Sequence, residues 1–234
     1  MLDTAIILAG GFGTRLQSVV KDLPKPMAPV NGKPFLEYVL KYCASNGITK
    51  CILSVGYKAE TVQNYFGDKF LNIDLKYCVE EKPLGTGGAI KASMKIADSE
   101  EVLILNGDTF FDVPVFEMYL LHKKNNSDLS IALKPMKNFD RYGIVIIEKD
   151  FFISGFEEKS FRTEGNINGG VYIANKKIMN HFPSLEIFSF EKDFLETKIG
   201  EVKMNGFVFD NYFIDIGIPK DYQKAQNEFI RFAY

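Results

Sequence analysis

The segment Thr4-Ala5-Ile6-Ile7-Leu8-Ala9-Gly10-Gly11-Phe12-Gly13-Thr14-Arg15-Leu16 decides how this chain is read. Its first part is a short apolar run with the length of a buried strand. Its second part is a glycine loop, where missing side chains let the backbone turn sharply and bring bare N–H groups up to a ligand. Arg15 puts a fixed positive charge just past the loop, and Pro24-Lys25-Pro26 puts a second, more mobile one ten residues on. Two cations over a glycine loop suit a nucleoside triphosphate and a second phosphate that must react with it. Phosphoryl-type chemistry is therefore the first expectation.

Outward from this loop, residues 1–125 alternate strand and helix. After the strand Thr4–Leu8, the residues Phe35, Leu36, Val39, Leu40 and Cys43 share a helical face that Gly47 ends. Strands are expected over 51–55, 73–79 and 102–105, and helices over 59–66, 88–97 and 114–124, the last with proline in its first turn. This alternation predicts a parallel sheet with helices on both faces and ligands at the carboxyl ends of its strands. The glycine loop and Asp108 both follow strand ends, so both can face one crevice. Residues 126–234 are richer in strand, at 129–133, 143–148, 152–157, 170–174 and 202–209, with helices over 176–182, 190–198 and 220–232. No linker or repeat interrupts the chain. The expected architecture is α/β: a single Rossmann-like domain over 1–234, with a mostly parallel sheet flanked by helices and a strand-rich elaboration covering the crevice.

Bulk composition narrows the function. Of 234 residues, 46% are hydrophobic and 25% charged, as in ordinary globular proteins. A net charge of −2 argues against a nucleic-acid partner, so any phosphate site must be local, and Arg15, Lys21, Lys25 and Lys33 gather near the loop. No apolar run approaches the ~20 residues of a membrane span and no charged leader is seen, so no membrane partner is expected. Cys43, Cys51 and Cys78 form no C-x-x-C pattern, which points to buried reduced thiols and a cytoplasmic location. The glycine loop itself fails two common motifs. The dinucleotide fingerprint requires glycine where Leu16 stands, and the ATPase-type loop, counted from Gly10, would need Gly-Lys-Ser/Thr near Arg15, Leu16 and Gln17.

The string Gly10-Gly11-Phe12-Gly13-Thr14-Arg15-Leu16 with Pro24-Lys25-Pro26 resembles the signature of the sugar-1-phosphate nucleotidyltransferases. The resemblance continues through Pro83 to Ala89, Asn106-Gly107-Asp108, Phe156 to Lys159, Asn168 to Tyr172 and Phe213 to Pro219. Over the whole chain it is greatest to the members that use a heptose 1-phosphate and GTP. It implies that a sugar 1-phosphate attacks the α-phosphorus of a nucleoside triphosphate in line and expels pyrophosphate, with no covalent enzyme intermediate. Residues 1–125 would then be the nucleotide-binding half and 126–234 the sugar-binding half.

The resemblance also implies residue roles. Arg15, Lys25 and Asp108 would be catalytic, Arg15 holding the triphosphate and Lys25 reducing repulsion between the two phosphates. Leu8, Gly10, Gly11, Gly13, Thr14 and Arg15 would bind the nucleotide, with Gly85, Thr86 and Gly88 as its base-facing loop and Glu80 or Glu81 accepting from the base. Lys25, Gly107, Glu158, Lys159, Asn168 and Gly169 would take the sugar phosphate. Asp108, next to Gly107, and Asp215, two residues before Gly217, would hold Mg2+, which needs few carboxylates when phosphate oxygens complete its shell. His122 and His181 are expected to be structural or exposed. A metal-dependent glycosyltransferase is the competing enzyme class, but the Asp108–Asp112 spacing is wrong for its aspartate motif and it has no need of Arg15. A non-catalytic nucleotide-sugar sensor would not need Arg15, Lys25, Asp108 and Asp215 together. The oligomeric state stays open, a homo-oligomer included.

Overall fold

A computed structural model describes residues 2–11, 16, 20 and 22–232. Strand β1 (Thr4–Leu8) precedes a single 3-10 turn at Lys25–Met27, the short strands β2 (Pro29–Val30) and β3 (Lys33–Pro34), and helix α1 (Phe35–Ser45). Then come β4 (Lys50–Val55), α2 (Ala59–Phe66), β5 (Lys69–Phe70), β6 (Ile73–Val79), α3 (Gly85–Ile96), β7 (Glu101–Asn106), β8 (Thr109–Phe111) and α4 (Val115–Lys124). The remainder supplies β9 (Leu129–Phe139), β10 (Ile144–Ile147), β11 (Ile153–Glu157), β12 (Arg162–Asn175), β13 (Met204–Val208), β14 (Phe213–Asp215) and α5 (Pro219–Glu228).

The main sheet runs β11-β10-β12-β7-β1-β4-β6-β5, with β9 and β13 branching from β12. Its centre, β7-β1-β4-β6, is parallel throughout. The chain builds outward from β1 to β4 and β6, then returns to place β7 on the opposite side of β1. That reversal opens a crevice beyond the carboxyl ends of β1 and β7, where open α/β sheets take their ligands. Alternation decides which face each side chain serves. Ala5 and Ile7 enter the core shared with α1, whereas Ile6, Ile52 and Ile104 enter the core shared with α3 and residues 188–195.

Strand β12 joins the two halves. Its Val171–Asn175 part pairs antiparallel with β7, and its Arg162–Asn168 part pairs with β9, with a register shift between Asn168 and Tyr172. β9 and β12 are far longer than the apolar pattern suggested, because their outer portions are polar ladders held by backbone hydrogen bonds. The helix expected at 190–198 is a wider π-type turn at Glu191–Leu195. The wider turn lets Phe190 and Phe194 stack at 5.2 Å and turns Leu195 inward as well. The helix expected at 176–182 is a 3-10 turn at Lys176–His181. Among the described residues, no helix is long and apolar enough to cross a membrane.

Candidate active site

Two adjoining cavities open at the crevice. The first, about 250 Å³, is lined by Leu8, Gly10, Gly11, Glu80, Gly85 and Thr86, among others. The second, about 520 Å³, is lined by Glu158, Lys159, Asn168, Gly169, Glu191 and Asp215, among others. Lys25, Thr86, Asn106 and Asp108 face both, so they form a common wall.

Lys25 owes its position to its flanking prolines. Pro24 caps the 3-10 turn in an extended conformation, Pro26 is buried, and Met27 N–H donates to the Pro24 carbonyl at 2.8 Å. The lysine side chain is only 10% exposed; its ammonium donates to Asp108 and lies 3.9 Å from Asp215. Asp108 follows β7, where Gly107 N–H donates to the Leu8 carbonyl at 2.9 Å. Asp215 ends β14, which pairs antiparallel with β8, so the ladder Asp215–Thr109 draws the two aspartates together from distant segments. Asp215 also accepts from Gly217 N–H (2.7 Å), the Tyr142 hydroxyl (3.3 Å) and Arg141 (3.4 Å), and Arg141 in turn pairs with Asp221. A side chain at Gly217 would meet the Lys25 ammonium at 2.8 Å.

Two hard carboxylates converging on one position suit a divalent cation that completes its shell with phosphate oxygens and water. Among the described residues, no group of three or more potential ligands gathers, so a fully protein-built metal cage is not what this site offers.

Of Glu80 and Glu81, only Glu80 lines the first cavity. It accepts from the Ser54 hydroxyl (2.9 Å) and Leu84 N–H (3.0 Å), whereas Glu81 is exposed. A Cβ on Gly10 would fall 2.6 Å from the Glu80 carboxylate, which explains the glycine there. Gly88 needs correction. It is buried against Glu186, whose carbonyl would sit 2.4 Å from a Cβ, and it lines neither cavity. Gly107 likewise lines neither cavity; it packs against the end of β1, with the Leu8 carbonyl 2.6 Å from a Cβ. Glycine serves chain packing at both positions.

In the second cavity, Asn168 donates to the Tyr172 hydroxyl (2.8 Å) and accepts from Gly170 N–H (3.0 Å). A Cβ on Gly169 would strike the Phe111 ring at 2.4 Å. Glu158 lies at the rim with 78% of its side chain exposed, 3.7 Å from Lys192, and Lys159 is exposed beside it. Asp112 lines neither cavity, and its N–H donates to the Tyr212 carbonyl. His122 is buried and hydrogen-bonded to Ser130. Gly13, Thr14 and Arg15 lie outside the described residues, as does Lys21. Arg141, Tyr142 and Glu191 were not singled out from sequence. Their only local signals are an Arg-Tyr-Gly before a strand and an acid among phenylalanines.

Known proteins share this sequence pattern and fold. The family model described as nucleotidyl transferase matches residues 4–231. D-glycero-alpha-D-manno-heptose 1-phosphate guanylyltransferase of Aneurinibacillus thermoaerophilus is 53% identical, over 96% of this chain and 97% of its own. The Campylobacter jejuni enzyme of the same name is 50% identical, over 93% and 96%. The crystal structure of HddC from Yersinia pseudotuberculosis complexed with GMP-PN superposes with a TM-score of 0.86 at 40% identity, covering 98% of this chain and all of that one.

Proposed function

The chain belongs to the nucleotidyl transferase family, and from that premise we propose that it is a guanylyltransferase acting on D-glycero-D-manno-heptose 1-phosphate. A phosphate oxygen of the sugar 1-phosphate bonds to the α-phosphorus of GTP, and the bond from that phosphorus to the bridging oxygen of the pyrophosphate breaks. The products are a GDP-sugar and pyrophosphate. The observation that carries this reading is the common wall: Lys25 and Asp108 face both the smaller cleft and the larger one. Two substrates that must meet at one phosphorus need that arrangement. Relatives with matching names at 50% identity or more support the choice of guanine and heptose.

Catalysis here is positioning plus charge stabilisation. The Lys25 ammonium, held at the junction, lowers repulsion between the entering sugar phosphate and the α-phosphate. Glycine-loop amides and Arg15 are assigned to the β- and γ-phosphates, where negative charge accumulates as pyrophosphate leaves. Asp108 and Asp215 would hold Mg2+, which supplies neutralisation of phosphate oxygens when bound. Arg141, Tyr142 and the Gly217 amide keep Asp215 oriented toward the junction. Glu158, Lys159, Asn168 and Gly169 are assigned to the sugar phosphate, and Glu80 to the base. Free thiols at Cys43, Cys51 and Cys78 agree with a reducing cytoplasm.

The test is a panel of four nucleoside triphosphates against several sugar 1-phosphates, followed by pyrophosphate release. GTP with the heptose 1-phosphate is expected to react fastest. Fastest release with another pair would move the specificity. Transfer of sugar from a nucleotide-sugar donor, without pyrophosphate from any pair, would replace the reading with a glycosyltransferase.

A further inference from the structure

The base-side loop and the floor of the larger cavity are built from each other. Phe188 N–H donates to the Leu84 carbonyl at 3.0 Å, and Gly87 N–H returns a bond to the Phe188 carbonyl at 3.0 Å. No side chain fits between the segments: a Cβ on Gly85 would lie 2.5 Å from the Phe188 carbonyl, and one on Gly87 2.2 Å from the Phe188 ring. At the end of this seam stands Glu191, in the π-type turn that replaces the expected helix. One carboxylate oxygen, Oε2, accepts from the Thr86 hydroxyl (2.7 Å) and the Ser189 hydroxyl (2.9 Å), while Thr86 Oγ1 accepts from Phe190 N–H (2.8 Å). The other oxygen, Oε1, has no hydrogen-bond partner among the described residues. Glu191 lines the larger cavity, and Thr86 lines both. The buried Tyr172 hydroxyl, which accepts from Asn168, has its pKa raised, by burial first and then by the charge of Glu191.

Resting on the guanylyltransferase reading, we propose that Glu191 is a positioning residue that couples the two substrates: Oε1 accepts a sugar hydroxyl while Oε2 holds Thr86 against the nucleotide. A sugar hydroxyl on Oε1 restrains the carboxylate, and the carboxylate restrains the loop that meets the base. Each substrate then finds part of its site already ordered by the other. Such coupling is reciprocal by thermodynamic necessity.

The test measures, by calorimetry, binding of a GTP analogue whose α–β bridge cannot be cleaved, with and without saturating heptose 1-phosphate. Wild type, Glu191→Ala, Thr86→Val and the double variant are compared. Sugar phosphate is expected to tighten the analogue about tenfold in wild type and less than about twofold in each variant, the double variant behaving like the single ones. An undiminished tightening in the variants, or fully additive losses, overturns the coupling. Weaker analogue binding by Glu191→Ala without sugar phosphate, its tightening factor intact, marks a mere loop support and also overturns it. If Glu191→Ala does not fold, Thr86→Val decides alone, since valine nearly matches threonine in shape. Wild type that releases pyrophosphate from GTP and heptose 1-phosphate yet shows no tightening refutes the coupling only. Tightening without any pyrophosphate release refutes the reaction only.

Discussion

The two cavities differ in how they are made. The proposed nucleotide side is assembled from the ends of neighbouring parallel strands: Leu8 and Gly10 at the end of β1, Glu80 after β6, and Gly85 and Thr86 at the start of α3. The proposed sugar side is assembled from antiparallel segments, the bulged part of β12, the end of β11 and β14, together with the turn at 191–195. A parallel strand end delivers its loop to the crevice by default, whereas an antiparallel segment reaches it only if its register is right. The first side should therefore tolerate changes elsewhere better than the second, and the shared wall should be the most sensitive part of all.

Lys25→Ala strikes both sides at once. Turnover should fall by ~10³, about 4 kcal/mol, and the KM of both substrates should rise. Steady-state pyrophosphate release checks this, and a rise in only one KM would break the idea of a common wall. His122 probes whether the halves form one unit, because it joins α4 to Ser130 of β9. Burial foremost pushes its pKa down to about 4. Between about pH 6.5 and 4 the unfolded chain takes a proton that the fold refuses, so stability should fall as pH drops through that window, by roughly 3 kcal/mol in all. Above pH 6.5 the loss is absent. Denaturant melts should show a single transition, with this slope flattened in His122→Gln. Two separate transitions would divide the halves.

Asp108→Asn and Asp215→Asn should each lower turnover by about 10² and move the magnesium titration to higher concentration, and excess EDTA should stop the wild-type reaction. Activity that persists in EDTA would remove the cation from the mechanism. A pair of glycine variants separates the two sides. Gly85→Ala, at φ +71° with the Phe188 carbonyl in the way, should raise the GTP KM. Gly169→Ala, against the Phe111 ring, should raise the sugar-phosphate KM. Each change should be about tenfold, near 1.4 kcal/mol, and crossed effects would erase the distinction. Lys159→Ala, at an exposed rim, should raise only the sugar-phosphate KM, by a few-fold. An effect on GTP alone would place that lysine elsewhere.

The glycine loop, the lysine between prolines and the aspartate after β7 were legible from sequence because each is a local signal. A strand followed by glycine, or a charge clamped by proline, carries its meaning within a few residues. Asp215 was legible only through a resemblance, and Arg141 and Tyr142, which orient it, gave no comparable sign. Glu80 and Glu81 illustrate the boundary. Both are acids after the same strand, and only the packed chain shows which one Ser54 and Leu84 hold inward. Glycines 85, 87 and 88 teach the same point from the other direction. Their pattern marks a functional loop, but the atoms that forbid side chains there belong to residues 186 and 188, about a hundred positions away.

By itself the sequence determined the alternation of the main strands and helices in residues 1–125, the parallel centre and the positive charges near the glycine loop, because hydrophobic period and turn chemistry act over short stretches of chain. Only the tertiary structure decided which acid lines the smaller cavity, that one lysine stands between two aspartates, and that Glu191 on the larger cavity holds Thr86 of the common wall. Those outcomes depend on register and on side chains from remote segments competing for the same few ångströms, a contest that no local pattern records.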